Sequence, residues 1–456
     1  MRRVVKVSRI RIIITIIVVV LTTLLTGCTG KEPNEIAYVV ALGIDSTDDD
    51  NYKITIQYAN TTQISGGASE SGGKAGSEIV DNVTIEAPNI YAGVGLANNI
   101  VSKSFSMSHA KLIVFSKEIA EKGVKDMIET LVRSEEIRPD VFIAVANTTA
   151  NDYLTSVNPE MEVNPAQYYQ LIYQKNQLVG VPDGQLREFF TGLYTDNYDS
   201  ILPVAGVIEG AGGNSQNDDK GQSKDGQNEG SEGSSESLDS FESKSSDDKD
   251  ENEKEKDAEK NTSKYEYDIK NYVGGETAIE KKNKAEAIGA AVFEKDKMVG
   301  ELGEVETEIC KMLKGDYTYS YLTYYNNDTP DIPITVKTTQ QKKPKYKIDT
   351  DKKTVDIELY IESDLYSLPA DYNVENKIED FERDVANYTS SACTEFINNF
   401  KKKYNSDILK LNEKVKYKFL TNNQYNWFKK NVGWSEYKFS VCTNFKVRRT
   451  GLIVRE

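Results

Sequence analysis

The chain reads as α+β and multi-domain: mixed sheets with packed helices, a mainly antiparallel C-terminal half, and a disordered acidic insert between the two. Three observations predict this. From residue 36 to 208, short apolar runs of strand length alternate with amphipathic helical stretches, the pattern of a mixed sheet covered by helices. From residue 285 onward, period-two strands surround one long amphipathic helix. Between them, residues 209–260 carry 17 acidic and 7 basic residues among Gly, Ser and Asn, too little apolar content to offset chain entropy. The expected organisation is a leader over 1–27, an N-terminal domain over 28–208, a linker over 209–284 and a C-terminal domain over 285–456.

The leader carries Arg2, Arg3, Lys6, Arg9 and Arg11 ahead of an apolar run from Ile12 to Leu25. That is a signal peptide with a basic n-region and an h-region short for a membrane span. Leu25-Thr26-Gly27-Cys28 resembles a bacterial lipobox. The resemblance implies that Cys28 takes a diacylglyceryl group and, as in other palmitate-bearing lipoproteins, becomes the first residue of the mature chain. An uncleaved anchor would leave the same topology. Two acyl chains hold a protein stably, at about 0.8 kcal/mol per buried methylene, where one holds it marginally. Losing the five leader cations takes the formal charge from −16 to −21. Such an acidic chain is a poor partner for nucleic acid and for simple attraction to anionic lipid.

In chain order, Ile36–Ile44 and Tyr52–Tyr58 read as strands around an Asp-rich turn, followed by a Gly/Ser loop at 65–77. Val83–Glu86 is a strand, and Pro88 opens a helical stretch through Leu96 and Ile100. Lys111–Phe115 is a strand before one helix whose apolar face is Ala120, Val124, Met127, Ile128 and Leu131. Val141–Ala146 is a strand, Asn151–Val157 a short helix, 166–195 helical and Ile201–Ile208 a strand. Beyond the insert, Ala287–Phe293 and Lys297–Glu301 flank a turn, and Val305, Ile309 and Met312 share a helical face. Strands follow at Ile332–Lys337 and Thr354–Ile361. A long helix then carries Ile378, Phe381, Val385, Tyr388, Ala392, Phe396 and Phe400. Tyr437–Val447 alternates apolar with polar and reads as a half-exposed antiparallel strand.

Catalytic chemistry finds little to work with. His109 is the single histidine, so any Ser-His-Asp or Cys-His device would need it. Its place before an apolar strand suits a structural, hydrogen-bonded histidine. Phosphate loops, dinucleotide fingerprints and nucleophile elbows are absent from the sequence. Cys310, Cys393 and Cys442 show no metal-ligand spacing, and Cys393 falls in a helical apolar pattern as a small core residue. No cofactor, metal or catalytic residue is expected, and the chain reads as not an enzyme. Trp427 and Trp434, seven apart, share a face if the segment is helical, as core anchors or as a partner-binding surface. With Arg448 and Arg449 they make the C-terminal block the candidate partner-binding region, since Trp and Arg often dominate interfaces.

Four separated blocks resemble one family, the lipoprotein C subunits of nutrient spore-germination receptors (Ger(x)C type). They are Val40-Ala41-Leu42-Gly43-Ile44-Asp45; His109 to Phe115, continuing through Glu118, Ala120, Gly123, Arg133, Ile137-Arg138 and Val145-Ala146; Gly289 to Phe293 with Lys295, Lys297, Val299-Gly300 and Leu302; and Asp407-Ile408-Leu409 through Trp427 and Trp434 to Arg449 and Gly451. The acidic insert is longer than the family's usual connection, and the loop at 65–77 is unusual in it. The resemblance implies a lipid-anchored, non-catalytic subunit on the outer face of the spore inner membrane. It would act in assembly and scaffolding with membrane-embedded receptor subunits. A substrate-binding transporter lipoprotein and a cell-wall hydrolase are the alternatives; the former needs two similar α/β lobes around a cleft.

The insert's composition predicts rapid proteolysis within 212–262 that leaves two stable fragments. Deleting that span is expected to leave the thermal midpoint nearly unchanged, because closure entropy varies slowly with loop length. A large loss of stability in calorimetry of the deletion variant would show a folded segment.

Overall fold

The computed structural model describes residues 13–18, 35–49, 51–59, 80–159, 162, 164–174, 180–195, 197–208, 271–277, 283–325, 333–367 and 377–450. Cys28, the loop at 65–77, the insert over 209–270 and Gly451 lie outside the described residues. Residues 13–18 are helical, and no helix among the described residues is long and apolar enough to cross a membrane.

The first half builds a nine-stranded sheet from β1 (Ile36–Ser46), β2 (Tyr52–Ala59), β3 (Val80–Ala87), β4 (Ser104–Ser106), β5 (Leu112–Ser116), β6 (Phe142–Ala146) and β7 (Ile201–Val207), extended by β8 (Ala285–Glu294) and β9 (Lys297–Leu302). Its order is β3-β2-β1-β5-β6-β7-β8-β9, with β4 on β1. β1, β5, β6 and β7 run parallel at the centre, and antiparallel pairs complete both sides. β5 and β6 are buried at every position, as parallel strands covered on both faces must be.

The covering helices are α1 (Ile90–Ala97), α2 (Lys117–Lys122), α3 (Lys125–Val132), α4 (Ala150–Ser156), α5 (Pro165–Gln174) and α6 (Leu186–Thr195). Leu42, Ile44, Ile113, Phe115, Ile143 and Val145 point one way, into a core with α1, α2, α3 and α6. The alternate residues Ala41, Leu112, Val114 and Ala144 point the other way, against Tyr153, Leu154, Tyr169 and Tyr173 of α4 and α5. Period-two alternation thus feeds two cores at once, each full-size buried side chain contributing about 1.5–3 kcal/mol.

Three local expectations are corrected. The stretch read as one helix with Ala120 to Leu131 on its apolar face is two, because Gly123 ends α2 at φ 125° and Val124 N–H donates to the Asp296 carbonyl. A Cβ at Gly123 would also sit 2.7 Å from Asp296 Oδ2. The apolar face survives the break, with Ala120, Val124, Met127, Ile128 and Leu131 all buried. α1 stops at Ala97 and buries Ile90, Gly93, Val94 and Ala97, leaving Leu96 and Ile100 exposed. The helical stretch over 166–195 resolves into α5 and α6.

The second half contributes α7 (Glu304–Lys314), β10 (Tyr319–Tyr325), β11 (Pro333–Gln340), β12 (Lys345–Asp349), β13 (Thr354–Ser367), α8 (Ile378–Lys403), α9 (Leu411–Val415), α10 (Asn422–Asn431) and β14 (Lys438–Arg449). The strands form a second sheet in order β10-β11-β13-β12, antiparallel throughout, with β14 added along β13. β14 pairs parallel to β13, correcting the antiparallel reading. Alternation reports a half-buried face, not a direction. Direction follows from the connection: the 26 residues of α8 span about 39 Å and carry the chain back for a second pass. β10 and β12 escaped the sequence reading: one interleaves Tyr with Ser and Thr, and the other buries Ile348 alone. Cys310 and Cys393 are buried in this half's core, and burial pushes their thiols up to about 11 and about 12. Cys442 is exposed.

The halves meet where β7 pairs antiparallel with β8, Ile201 opposite Val292 and Val207 opposite Ala285. Residues 271–277 and 283–284, assigned by composition to the linker, pack on this pair. Gly274 N–H donates to the Ile288 carbonyl at 3.0 Å, and Asn147 Nδ2 to the Gly274 carbonyl at 2.8 Å. Asn283 is 2% exposed and donates to the Tyr168 hydroxyl at 2.9 Å. Loop-type residues here serve as hydrogen-bonding core, which composition alone does not report.

The segment between α8 and α9 locks the junction. Asp199 N–H donates to the Asp407 carbonyl at 3.2 Å, and Asp407 N–H donates to Asp199 Oδ2 at 2.8 Å. Asp199 Oδ1 accepts from Lys295 N–H, and Ser406 Oγ donates to the Phe293 carbonyl, both at 2.8 Å. The Asp407 carboxylate accepts from Leu411 and Asn412 N–H, each at 2.8 Å, where α9 begins. Gly300 leaves room for the Tyr404 ring, since a Cβ there would lie 2.2 Å from the Tyr404 hydroxyl.

Burial pushes the Asp407 carboxyl up to about 7 against the pull of those two amides, with Asp199 adding to the rise. A raised folded pKa means the native state holds this proton between about pH 4 and 7 while the unfolded chain has released it. Stability contributed by Asp407 is therefore complete below pH 4 and falls as pH rises to 7, by up to about 1.4 kcal/mol per pH unit. Urea melts of wild type and Asp407→Asn across this range are expected to differ in slope, the variant lacking this decline. Parallel pH profiles would show that Asp407 stays ionised.

Candidate functional site

The junction opens on one side into a cleft of about 620 Å³. Its walls come from the end of α8, the loop 404–412, α10 and the turn at 432–435, facing Tyr198, Asp199 and the β8–β9 turn. Local sequence explains the placement. Thr421 Oγ1 caps α10 by accepting from Gln424 N–H at 3.3 Å, and the helix buries Tyr425 and Phe428 at i and i+3. That register leaves Asn426, Lys429 and Lys430 on the cleft rim.

The polar lining is tied down. Tyr425 Oη donates to Asn197 Oδ1 at 2.9 Å, and Lys429 Nζ lies 4.9 Å from the Tyr425 ring centre. Lys401 Nζ donates to the Tyr437 carbonyl at 2.7 Å. Lys410 pairs with Glu188 at 2.5 Å deeper in the seam, where burial and nearby Glu188 push the Tyr198 hydroxyl up to about 12. Lysine ammoniums, carboxamides and a tryptophan edge suit an anionic or hydrogen-bonding partner. Neither histidine nor cysteine lines the cleft.

A smaller cavity of about 150 Å³ lies along the same seam, lined by Tyr173, Asp183, Lys311, Lys314 and Asp316 among others. Lys311 is 5% exposed and donates to the Val181 carbonyl at 3.0 Å. Burial pulls its ammonium down to about 8 against the charges of Asp316, Glu308 and Asp183. Among the described residues no group of three or more His, Cys, Asp or Glu is arranged to hold a metal ion.

The residues singled out from sequence are dispersed. Trp434 lines the cleft half-buried: its Nε1 donates to Asn412 Oδ1 at 3.0 Å, and its ring packs on Phe428 and Tyr437. Trp427 stands 64% exposed on α10. The two do not share a helical face, because α10 ends at Asn431 and Trp434 belongs to a 3-10 turn. Arg448 and Arg449 end β14, whose first residue, Lys438, follows that turn. Ten strand residues, roughly 33 Å, therefore separate them from Trp434. Arg448 faces Glu362 at 3.8 Å and is mostly exposed. His109 is exposed on a 3-10 turn, with Nδ1 3.0 Å from Ser108 Oγ and its ring edge-on to Tyr38. Sequence reasoning missed Asp199, Glu188 and Lys410, whose partners lie about 200 residues away.

Two family models match the chain, one described as spore germination protein N-terminal domain over residues 30–207 and one as spore germination B3/GerAC-like, C-terminal, over 288–451. Spore germination protein KC of Bacillus subtilis (strain 168) is 27% identical over 156 residues, 34% of this chain and 38% of that protein. The putative spore germination protein YfkR of the same organism is 28% identical over 145 residues, 32% of this chain and 37% of its own length. These alignments span little more than a third of either relative. The crystal structure of the GerBC protein aligns over 89% of this chain and 96% of its own, at 15% identity and a TM-score of 0.48. With both family segments matched in order over most of its length, the chain belongs to the GerAC-like spore germination family, the C-subunit family of germinant receptors.

Proposed function

We propose that the chain is a lipid-anchored, non-catalytic subunit that assembles with membrane-embedded subunits of a nutrient germinant receptor. The observation that carries this reading is the pair of family matches over 30–207 and 288–451. The sequence Leu25-Thr26-Gly27-Cys28 supports the anchor. On this reading residues 1–27 are removed, 28–208 and 285–456 are the two germination-protein domains, and 209–284 connects them. From Cys28 to Ile36 the chain reaches at most about 29 Å, so the body stays close to the bilayer and is concentrated near its partners.

A scaffolding role fits the chemistry of the body. The one histidine touches Ser108 and Tyr38 at the surface, and the junction cleft offers ammonium and amide groups tied to the fold. A transporter-type binding lipoprotein would need two similar lobes. The nine-stranded sheet flanked by helices and the five-stranded sheet crossed by α8 are unlike each other.

Mass spectrometry of the mature protein is expected to find a diacylglyceryl-modified Cys28, and Cys28→Ala to release or mislocalise it. Unchanged processing and membrane retention in the variant would overturn the anchor.

The exposed end of β14 is the proposed contact with the membrane-embedded subunits. Arg448→Glu with Arg449→Glu is expected to leave the isolated protein folded while co-purification of the receptor from solubilised spore membranes falls. Spores carrying it should germinate slowly with nutrients and normally with a receptor-independent trigger. An intact pull-down with normal nutrient response would place the contact elsewhere.

A further inference from the structure

The segment between α8 and β14 turns one side fully inward. Leu411, Val415, Tyr425 and Phe428 are buried in the second-half core, and Phe419 packs against it. Its outer side is unusual. Leu420 is 96% exposed and Tyr417 77%, the two most exposed large apolar side chains among the described residues. They border an open depression of about 420 Å³ with Lys416, Asn422 and Tyr425.

Charge around this site runs against the rest of the chain. Residues 401–430 hold nine lysines against Asp407 and Glu413, a net +7 within a chain of −16. Asp407 is buried in the junction, Glu413 lines the depression, and Asp349 of β12 lies near Lys418. Lys414 and Lys418 donate to the carbonyls of Leu409 and Ile348, acceptors that carry no formal charge. Lys416 and Lys429 lie 5.8 and 4.9 Å from the centre of the Tyr425 ring. Net acidity argues against binding to anionic lipid for the chain as a whole. Within a Debye length of this face, the local field is cationic.

We propose that this face docks on an anionic lipid surface, with Leu420 and Tyr417 entering the headgroup layer and Lys416 and Lys418 on the lipid charges. An aliphatic tip and a tyrosine ringed by lysines match interfacial lipid binding, where apolar burial and lysine attraction act together. A protein partner is disfavoured, because lysine is depleted at protein interfaces and arginine enriched, and residues 401–430 contain no arginine. The inference deepens the membrane-anchored reading, by giving the tethered body one face toward the bilayer.

The test is amide exchange over residues 414–422 in the full chain held in nanodiscs. The discs are phosphatidylcholine alone, or equal parts phosphatidylcholine and phosphatidylglycerol. Exchange is expected to slow several-fold in the anionic discs only, and to recover in high salt. Lys416→Glu with Leu420→Asp should abolish the protection at an unchanged thermal midpoint, each lysine contributing about five-fold to attachment. Equal exchange in both discs would overturn the proposal. So would protection that appears only when membrane-embedded receptor subunits are added. Failure of the chain to enter either disc would count against the anchor instead. Sedimentation of the chain with vesicles of the same two compositions then decides for or against this face.

Discussion

The pairing of β7 with β8 is the constraint on which the rest of the structure depends. It makes the last strand of the first half and the first strand of the second half neighbours in one sheet. Ala291 and Phe293 of β8 face the first core while Ala290 and Val292 face the second. One strand therefore serves both halves, and neither core closes without it. The chain between β7 and β8 contributes no strand to either sheet among its described residues.

That pairing is reinforced by polar contacts of unusual sequence separation. Asp199 and Asp407 exchange backbone and carboxylate hydrogen bonds, and Lys410 reaches Glu188 beside them. Buried carboxylates are costly unless every oxygen is served. Here both oxygens of each aspartate accept backbone N–H groups, which holds the loop in one geometry. The same geometry fixes the junction cleft, whose walls are this loop and α10. Stability and the shape of the candidate site thus rest on the same few groups.

Function in this family member is read from surfaces. The proposed anchor at Cys28, the proposed contact at the end of β14 and the cationic face near Leu420 lie on different parts of the chain, which suits the proposed contacts with a bilayer and with proteins. Lysines on the loop from α8 to α10 give an acidic protein a local field opposite to its net charge. Net charge describes solubility and long-range behaviour, whereas docking is decided within a Debye length.

Short-range pattern was enough to determine much of this protein. Alternation and helical periodicity located most strands and helices, and four motif blocks pointed to the family. The Asp407-Ile408-Leu409 block was visible without its reason. Tertiary structure decided what periodicity does not encode. Gly123 broke one helix through its positive φ, α8 made β14 parallel by carrying the chain back, and the end of α10 parted Trp427 from Trp434. Arg448 and Arg449 proved a strand's length from the tryptophans. The partly buried links Asp199–Asp407 and Glu188–Lys410 span more than 200 residues. Local sequence specifies which face of a segment is apolar. Which distant carboxylate meets which amide is set by how the two halves pack.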